Sequence, residues 1–287
     1  MAIASGITAV IIWGWWMSAT RVASTSGIAP IDIALLRYGI PAIMLCPAWL
    51  PMFRKLRKAP PWALLATLGW GAPFLWLVAA SLETANVIYL ATIVPCTMPL
   101  FALLGERVFF NIRPSRTQLC GFTLIGLAAV VVLMTALSGG GRIGLYSLSL
   151  MLLAAAGWAC YVVAFRHTGL TAAQAAAWVC TMSTMLIVLV KVLSGNAFLA
   201  LTIDQLLFHG MGQGVLSGFV AVILYTIAIN RLGTARAASF TALIPLMGAG
   251  FAWALAWRET SMDRRLGSGN RLGRCSGCQW SVPTTVD

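Results

Sequence analysis

The chain has 287 residues, of which 60% are hydrophobic and only 9% are charged. Soluble domains carry about 25% charged residues, so this composition excludes a soluble globular fold, and the high apolar content excludes a disordered chain. The net charge of +12 is expected to report loop orientation in an integral membrane protein, and we expect no nucleic-acid partner.

Apolar stretches between charged residues predict nine transmembrane helices, because about 20 apolar residues cross the hydrocarbon core of a bilayer. The predicted helices lie near residues 3–22, 31–53, 62–82, 85–105, 117–137, 145–165, 171–193, 205–229 and 236–257. Helices satisfy their own backbone hydrogen bonds in lipid, so the expected fold class is all-α and integral to the membrane.

The short loops predict the orientation of these helices. With the N-terminus in the cytoplasm, ten basic residues fall in cytoplasmic loops and three in the opposite loops. The three are Arg21, Arg142 and Lys191. This positive-inside bias predicts a multi-pass protein of the plasma (inner) membrane with a cytoplasmic N-terminus.

An internal repeat is visible along the chain. An offset of 145 residues places Trp13 on Trp158, and an offset of 150 places Pro95 on Pro245. Each unit holds five helices, an odd number, so the second unit enters the membrane from the opposite side, as in an inverted repeat. The predicted domains are a first five-helix repeat at 1–138, a four-helix second repeat at 143–257 and a polar basic tail at 258–287.

Several short motifs follow the same order as the repeat. They are Ile12–Trp13–Gly14, Leu36–Arg37, the stretch from Thr84 to Pro95, Gly105–Glu106–Arg107, Gly121–Phe122–Thr123–Leu124–Ile125, and Ala235 through Pro245 to Glu259. With them the sequence resembles the EamA-type branch of the drug/metabolite transporter superfamily, ten-helix carriers built from two five-helix repeats. The resemblance implies export or exchange of small metabolites, such as amino acids, through a central cavity between the repeats.

The tail departs from this pattern. Residues 258–287 carry five arginines and no apolar span, so the second repeat lacks its fifth helix. We hypothesise a frame change in the coding sequence near Thr260–Asp263 or a decayed gene, with a genuine soluble tail as the alternative. Cys275 and Cys278 form a lone CxxC, which falls short of the four ligands of a zinc site.

Arg37 is the clearest ionisable residue inside a predicted span, and such residues are functional candidates by default. It could face the cavity and bind a substrate carboxylate or phosphate. Alternatively it could extend to the headgroups or pair with Asp32. Glu83 and Glu106 lie at predicted helix ends, which favours an interfacial position.

Aromatic residues and prolines complete the candidate site. Trp13 with Trp16, and Trp158 with Tyr161, are spaced i,i+3 at matched repeat positions and could line a cavity for an amphipathic or cationic substrate. An interface belt or lipid-facing packing is the alternative for any one of them. The candidate substrate-binding residues are Arg37, Trp13, Trp16, Tyr89, Trp158, Tyr161 and Tyr225, and the predicted helix kinks are at Pro95, Pro99 and Pro245.

Glycines also mark the eighth predicted helix. Gly210, Gly212, Gly214 and Gly218 are expected to permit close helix packing.

The leading interpretation is a secondary carrier working by alternating access. No catalytic residues, metal ligands or cofactors are predicted, because the only aspartates before the tail, Asp32 and Asp204, sit at helix ends. An intramembrane enzyme, a channel and a non-functional truncated carrier are the rival interpretations. The expected partners are a small-molecule substrate and the lipid bilayer, and a homodimer stays open.

Overall fold

The computed structural model describes residues 2–25, 28–85, 87–138, 144–195, 201–248 and 250–251. Within these ranges the chain is helical and contains no strand, which confirms the predicted all-α class. The α-helices are α1 Ala2–Thr25, α2 Pro30–Met44, α3 Trp49–Leu56, α4 Pro61–Thr67, α5 Ala72–Leu82, α6 Val87–Phe110, α7 Arg116–Ser138, α8 Leu145–Phe165, α9 Ala172–Leu193, α10 Ile203–His209, α11 Ala221–Leu232 and α12 Thr234–Ser239.

Each of the nine predicted helices has a counterpart in the described part of the chain, but the second is not one straight helix. A 3₁₀ turn at Cys46–Ala48 separates α2 from α3, and the two halves are bent by 58°. Pro41 and Pro47 remove backbone donors on both sides of Leu45, which ends α2 there. The unbroken helix predicted over 31–53 is therefore wrong.

Length and apolar character support a membrane-spanning bundle. Among the described residues, five helical segments are long and apolar enough to cross a bilayer, and the bent pair α2–α3 makes a sixth. Shorter apolar stretches lie at Ala2–Trp16 in α1 and Arg116–Val131 in α7. The last part of the ninth predicted helix, after Phe251, lies outside the described ranges. The whole tail and its CxxC also lie outside them.

The two predicted repeats share one core. In the unit that ends at Phe251, α1 packs against α11, α2 against α9, and both α5 and α6 against α8. One continuous buried cluster joins these helices. Large apolar side chains are also exposed on the outer surface, as expected for lipid contact; examples are Leu124, Val131, Leu153 and Leu193.

The third predicted helix is interrupted by a 3₁₀ turn at Leu68–Trp70, which separates α4 from α5. The hydroxyl of Tyr38 lies 2.9 Å from the carbonyl oxygens of both Trp70 and Gly71, which share its single proton. The Ser183 hydroxyl accepts from the Ala72 amide at 3.0 Å. Side chains from α2 and α9 thus satisfy backbone groups that the interruption leaves free, as irregular backbone at membrane depth requires.

Candidate functional site

A π-helix at Gly210–Val220 follows α10 and packs on α2. Glycines let the two backbones meet: a Cβ on Gly218 would lie 2.3 Å from the Arg37 carbonyl oxygen, and one on Gly214 would lie 2.9 Å from that of Leu36. This is the close packing expected of the glycines, although the π-helix itself was not predicted. Such helices are rare and frequent at functional sites.

Arg37 lies inside this contact and is 2% exposed. Its Nη1 donates to the hydroxyl of Ser217 at 2.7 Å, and its Cζ lies 4.1 Å from the ring centroid of Trp16. Its Nε is buried without a hydrogen-bond partner. The guanidinium is therefore held by the hydroxyl of Ser217 and the ring of Trp16 and also interacts with the Tyr38 side chain, while Nε is left unused.

The π-helix also fixes both tryptophans of α1. The indole of Trp16 donates to the side-chain oxygen of Gln213, and the indole of Trp13 donates to the carbonyl oxygen of Ser217 at 3.3 Å. Gln213 and Ser217 are both fully buried. Four side chains from α1 and the π-helix thus form one polar cluster beside Arg37 of α2.

The structure supports neither alternative for Arg37. Burial inside the protein rules out extension to the headgroups, and Asp32 instead pairs with Lys191, whose Nζ lies 2.6 Å from Oδ1. Lys191 was counted with the basic loop residues, but it lies in the last turn of α9, within the predicted helix 171–193, and is 1% exposed. Glu106, near the end of α6, is buried within the protein, and its interfacial depth stays a prediction.

A cavity of about 40 Å³ adjoins the guanidinium of Arg37. Thirteen residues line it: Trp13, Trp16, Arg37, Trp70, Phe74, Val78, Leu90, Val94, Pro95, Met98, Trp158, Thr241 and Ile244. We name it the Arg37 cavity. At about 10–15 Å³ per water it has room for about three waters, so a whole metabolite would need the surrounding helices to move apart.

The sequence-predicted aromatic residues divide into two groups. Trp13, Trp16 and Trp158 line the Arg37 cavity. Tyr225 lies behind them, with its ring centroid 5.0 Å from that of Trp13 and 5.4 Å from that of Trp158. The two matched tryptophans of the repeat therefore contact the same tyrosine ring.

The other two tyrosines lie outside the lining. The hydroxyl of Tyr161 is 2.9 Å from that of Thr226, and its ring contacts Trp70 with a centroid distance of 5.4 Å. Tyr89 is half-buried in α6. A role of either residue in binding substrate stays a prediction.

Of the three prolines predicted to kink helices, Pro95 lines the cavity, whereas Pro99 and Pro245 do not. Helix α6 continues through Pro95 and Pro99, and the ninth predicted helix changes to a 3₁₀ turn at Phe240–Leu243, just before Pro245. The hydroxyl of Thr241 in this turn lies 2.7 Å from the Ala238 carbonyl oxygen and 3.2 Å from that of Pro95.

Among the residues of the site that sequence reasoning missed are Trp70, Phe74, Gln213 and Ser217. Trp70 lies between Gly69 and Gly71 at an interruption of the third predicted helix, and Phe74 follows it. Gln213 and Ser217 lie among the glycines of the eighth predicted helix. Polar residues between glycines in an apolar span were the available signal. No group of three or more His, Cys, Asp or Glu residues that could hold a metal ion occurs within the described ranges.

The family follows from a match that covers most of the chain in two parts. The model of the EamA-like transporter family matches residues 1–134 and again residues 145–262. The chain belongs to the EamA-like transporter family. The first match contains the cavity residues from Trp13 to Met98, and the second contains Trp158, Thr241 and Ile244. No curated protein matches the chain significantly.

Proposed function

We propose that this transporter is a secondary carrier of small metabolites, such as amino acids, and that the Arg37 cavity is its binding site. The observation that carries the proposal is that side chains from both family-matched halves line one buried cavity. Substrate sites between two repeats are the usual arrangement in carriers that work by alternating access.

The ion pair of Asp32 with Lys191 supports alternating access. Asp32 lies in the first turn of α2 in one repeat, and Lys191 lies in the last turn of α9 in the other. A link between the repeats at one end of the bundle can hold that end closed while the opposite end opens. We infer that the pair separates when the Arg37 cavity opens toward its side.

The distribution of basic loop residues supports a cytoplasmic N-terminus in the plasma (inner) membrane. With that orientation, the Asp32–Lys191 pair lies at the external end of the bundle. The proposed direction of transport is export or exchange, as the family resemblance implies. We propose no enzymatic activity for this chain, and assembly as a homodimer remains a separate proposal.

Counterflow in proteoliposomes tests the carrier proposal. Vesicles containing the full chain are preloaded with a mixture of unlabelled amino acids and organic acids, and entry of each labelled compound is followed against protein-free vesicles. A carrier gives saturable uptake that requires solute inside. Uptake that rises linearly with concentration would indicate a channel, and uptake equal to that of empty vesicles would indicate a non-functional chain.

A further inference from the structure

We propose that the substrate of the Arg37 cavity is an amphipathic organic monoanion, whose carboxylate binds the guanidinium of Arg37 and whose apolar body packs on the aromatic wall. This inference rests on the proposed carrier function and narrows its substrate class from small metabolites such as amino acids to monoanions without an ammonium group. It follows from the charge, the free hydrogen-bonding capacity and the lining of the cavity.

The charge of Arg37 has no protein counter-ion within the described ranges. These ranges contain four carboxylates, those of Asp32, Glu83, Glu106 and Asp204. None of the four lines the cavity or lies within 4.0 Å of a guanidinium nitrogen. A buried charge is costly without an ionic partner, so a bound anion is the natural complement.

The guanidinium also has an unused hydrogen-bond donor. Ser217 and the ring of Trp16 hold it in place, while its buried Nε remains without a partner. Arginine binds carboxylates through two parallel N–H donors in a planar fork. A carboxylate that accepts from Nε would satisfy the group that the protein leaves unpaired.

A single positive charge favours a monoanion over a dianion. The other deeply buried cation near this end of the bundle, Lys191, is already neutralised by Asp32. A phosphate monoester, with close to two negative charges, would bring one charge that no described cavity residue matches. The cavity therefore fits a carboxylate better than a phosphate.

The remaining lining determines the body of the substrate. Four tryptophans contribute indole N–H groups to the lining, of which those of Trp13 and Trp16 are already used. Apart from these groups, Arg37 and Thr241, the lining is apolar. Trp70, Phe74 and Trp158 offer aromatic faces. An ammonium group on the substrate would lie close to the positive guanidinium, and no described carboxylate lines the cavity to accept its hydrogen bonds. We therefore assign the substrate a net negative charge.

Binding of a matched probe series to the full chain tests this assignment. The chain is placed in nanodiscs of phosphatidylcholine, so that no anionic lipid competes, and tryptophan fluorescence and melting temperature are followed at neutral pH. The probes are 3-phenylpropionate, its alcohol and amine counterparts 3-phenylpropanol and 3-phenylpropylamine, and L-phenylalanine. We expect 3-phenylpropionate to bind about tenfold or more tightly than the alcohol or the amine.

Three variants locate the effect. Arg37→Gln should abolish the preference for the anion, and Arg37→Lys should keep the preference but weaken binding, because lysine lacks the planar fork. Arg54→Gln removes an exposed arginine of α3 and should bind like the wild type. If Arg37→Gln does not fold, the ranking of the four probes on the wild type and on Arg37→Lys still decides the question.

Several results would overturn the inference. These are equal binding of the alcohol or amine, tighter binding of L-phenylalanine than of 3-phenylpropionate, no binding of the anion at millimolar concentration, and a preference unchanged in Arg37→Gln. Saturable counterflow combined with any of these results would support the carrier proposal and contradict the anion site. Anion binding that depends on Arg37, without counterflow, would support the anion site and contradict the carrier proposal.

Discussion

Lys191 and Asp32 form a buried ion pair, with Nζ 2.6 Å from Oδ1, that joins the end of α9 to the start of α2. Asp32 therefore pairs with Lys191 and does not serve as the counter-ion of Arg37. The pair links the two repeats, which gives it a stability effect that can be measured separately from transport.

Removing one member of the pair should destabilise the protein strongly. In Asp32→Asn or Lys191→Met the remaining charge stays buried without its partner, which typically costs about 3–5 kcal/mol. The double variant Asp32→Asn/Lys191→Met removes both charges and should recover much of that loss. Melting temperatures of the purified variants in detergent check this.

The matched control for this cycle is Lys58→Met, which removes an exposed lysine and should leave the melting temperature unchanged. Additive losses in the double variant, with no recovery, would show that the two side chains do not depend on each other.

The hydroxyl of Ser217 should contribute to binding because it orients the guanidinium of Arg37. Ser217→Ala removes a hydrogen bond to a charged group, which is worth about 1.5–3 kcal/mol, so substrate affinity should fall by about tenfold or more. Half-saturation concentrations in counterflow measure the effect. Ser149→Ala, at an exposed position on α8, serves as the control, and an equal shift in both variants would contradict the role of Ser217.

Close packing of the π-helix on α2 should make Gly218 intolerant of a side chain. In Gly218→Ala the new Cβ would lie 2.3 Å from the Arg37 carbonyl oxygen, so one backbone has to move and the Arg37 site with it. We expect a lower melting temperature and impaired transport. Gly121→Ala in α7, where no atom lies within 4 Å of the new Cβ, should be neutral or stabilising by up to about 1 kcal/mol.

A Gly218→Ala protein with the melting temperature and transport rate of the wild type would show that the contact between α2 and the π-helix is looser than described.

Much of the fold could be predicted from the sequence, because charged residues are costly in lipid and therefore mark the ends of the spans. The rule also holds for Lys191 and Glu106, which lie near the ends of α9 and α6, but it does not predict that both side chains are buried in the protein. Spacing along one chain shows where a charge lies along a helix, but which neighbouring helix covers it depends on tertiary packing.

Part of the candidate site could also be predicted from the sequence. Arg37, Trp13, Trp16 and Trp158 stand out as unusual residues at matched positions, and the structure brings them to one cavity. Gln213 and Ser217 reach that cluster through a π-helix, whose altered register no simple periodicity shows. Tyr161 lies one turn from Trp158 on α8, and the ring of Tyr225 contacts Trp13 and Trp158, yet both tyrosines lie outside the lining.

The most direct test of the account is whether filling the Arg37 cavity stops transport. Val94 is 1% exposed and lines the cavity, whereas Val130 in α7 is 54% exposed on the outer surface. Val94→Phe should abolish saturable counterflow while the protein remains monodisperse and folded, and Val130→Phe should transport like the wild type. Equal counterflow by the two folded variants would contradict the claim that substrate passes through this cavity.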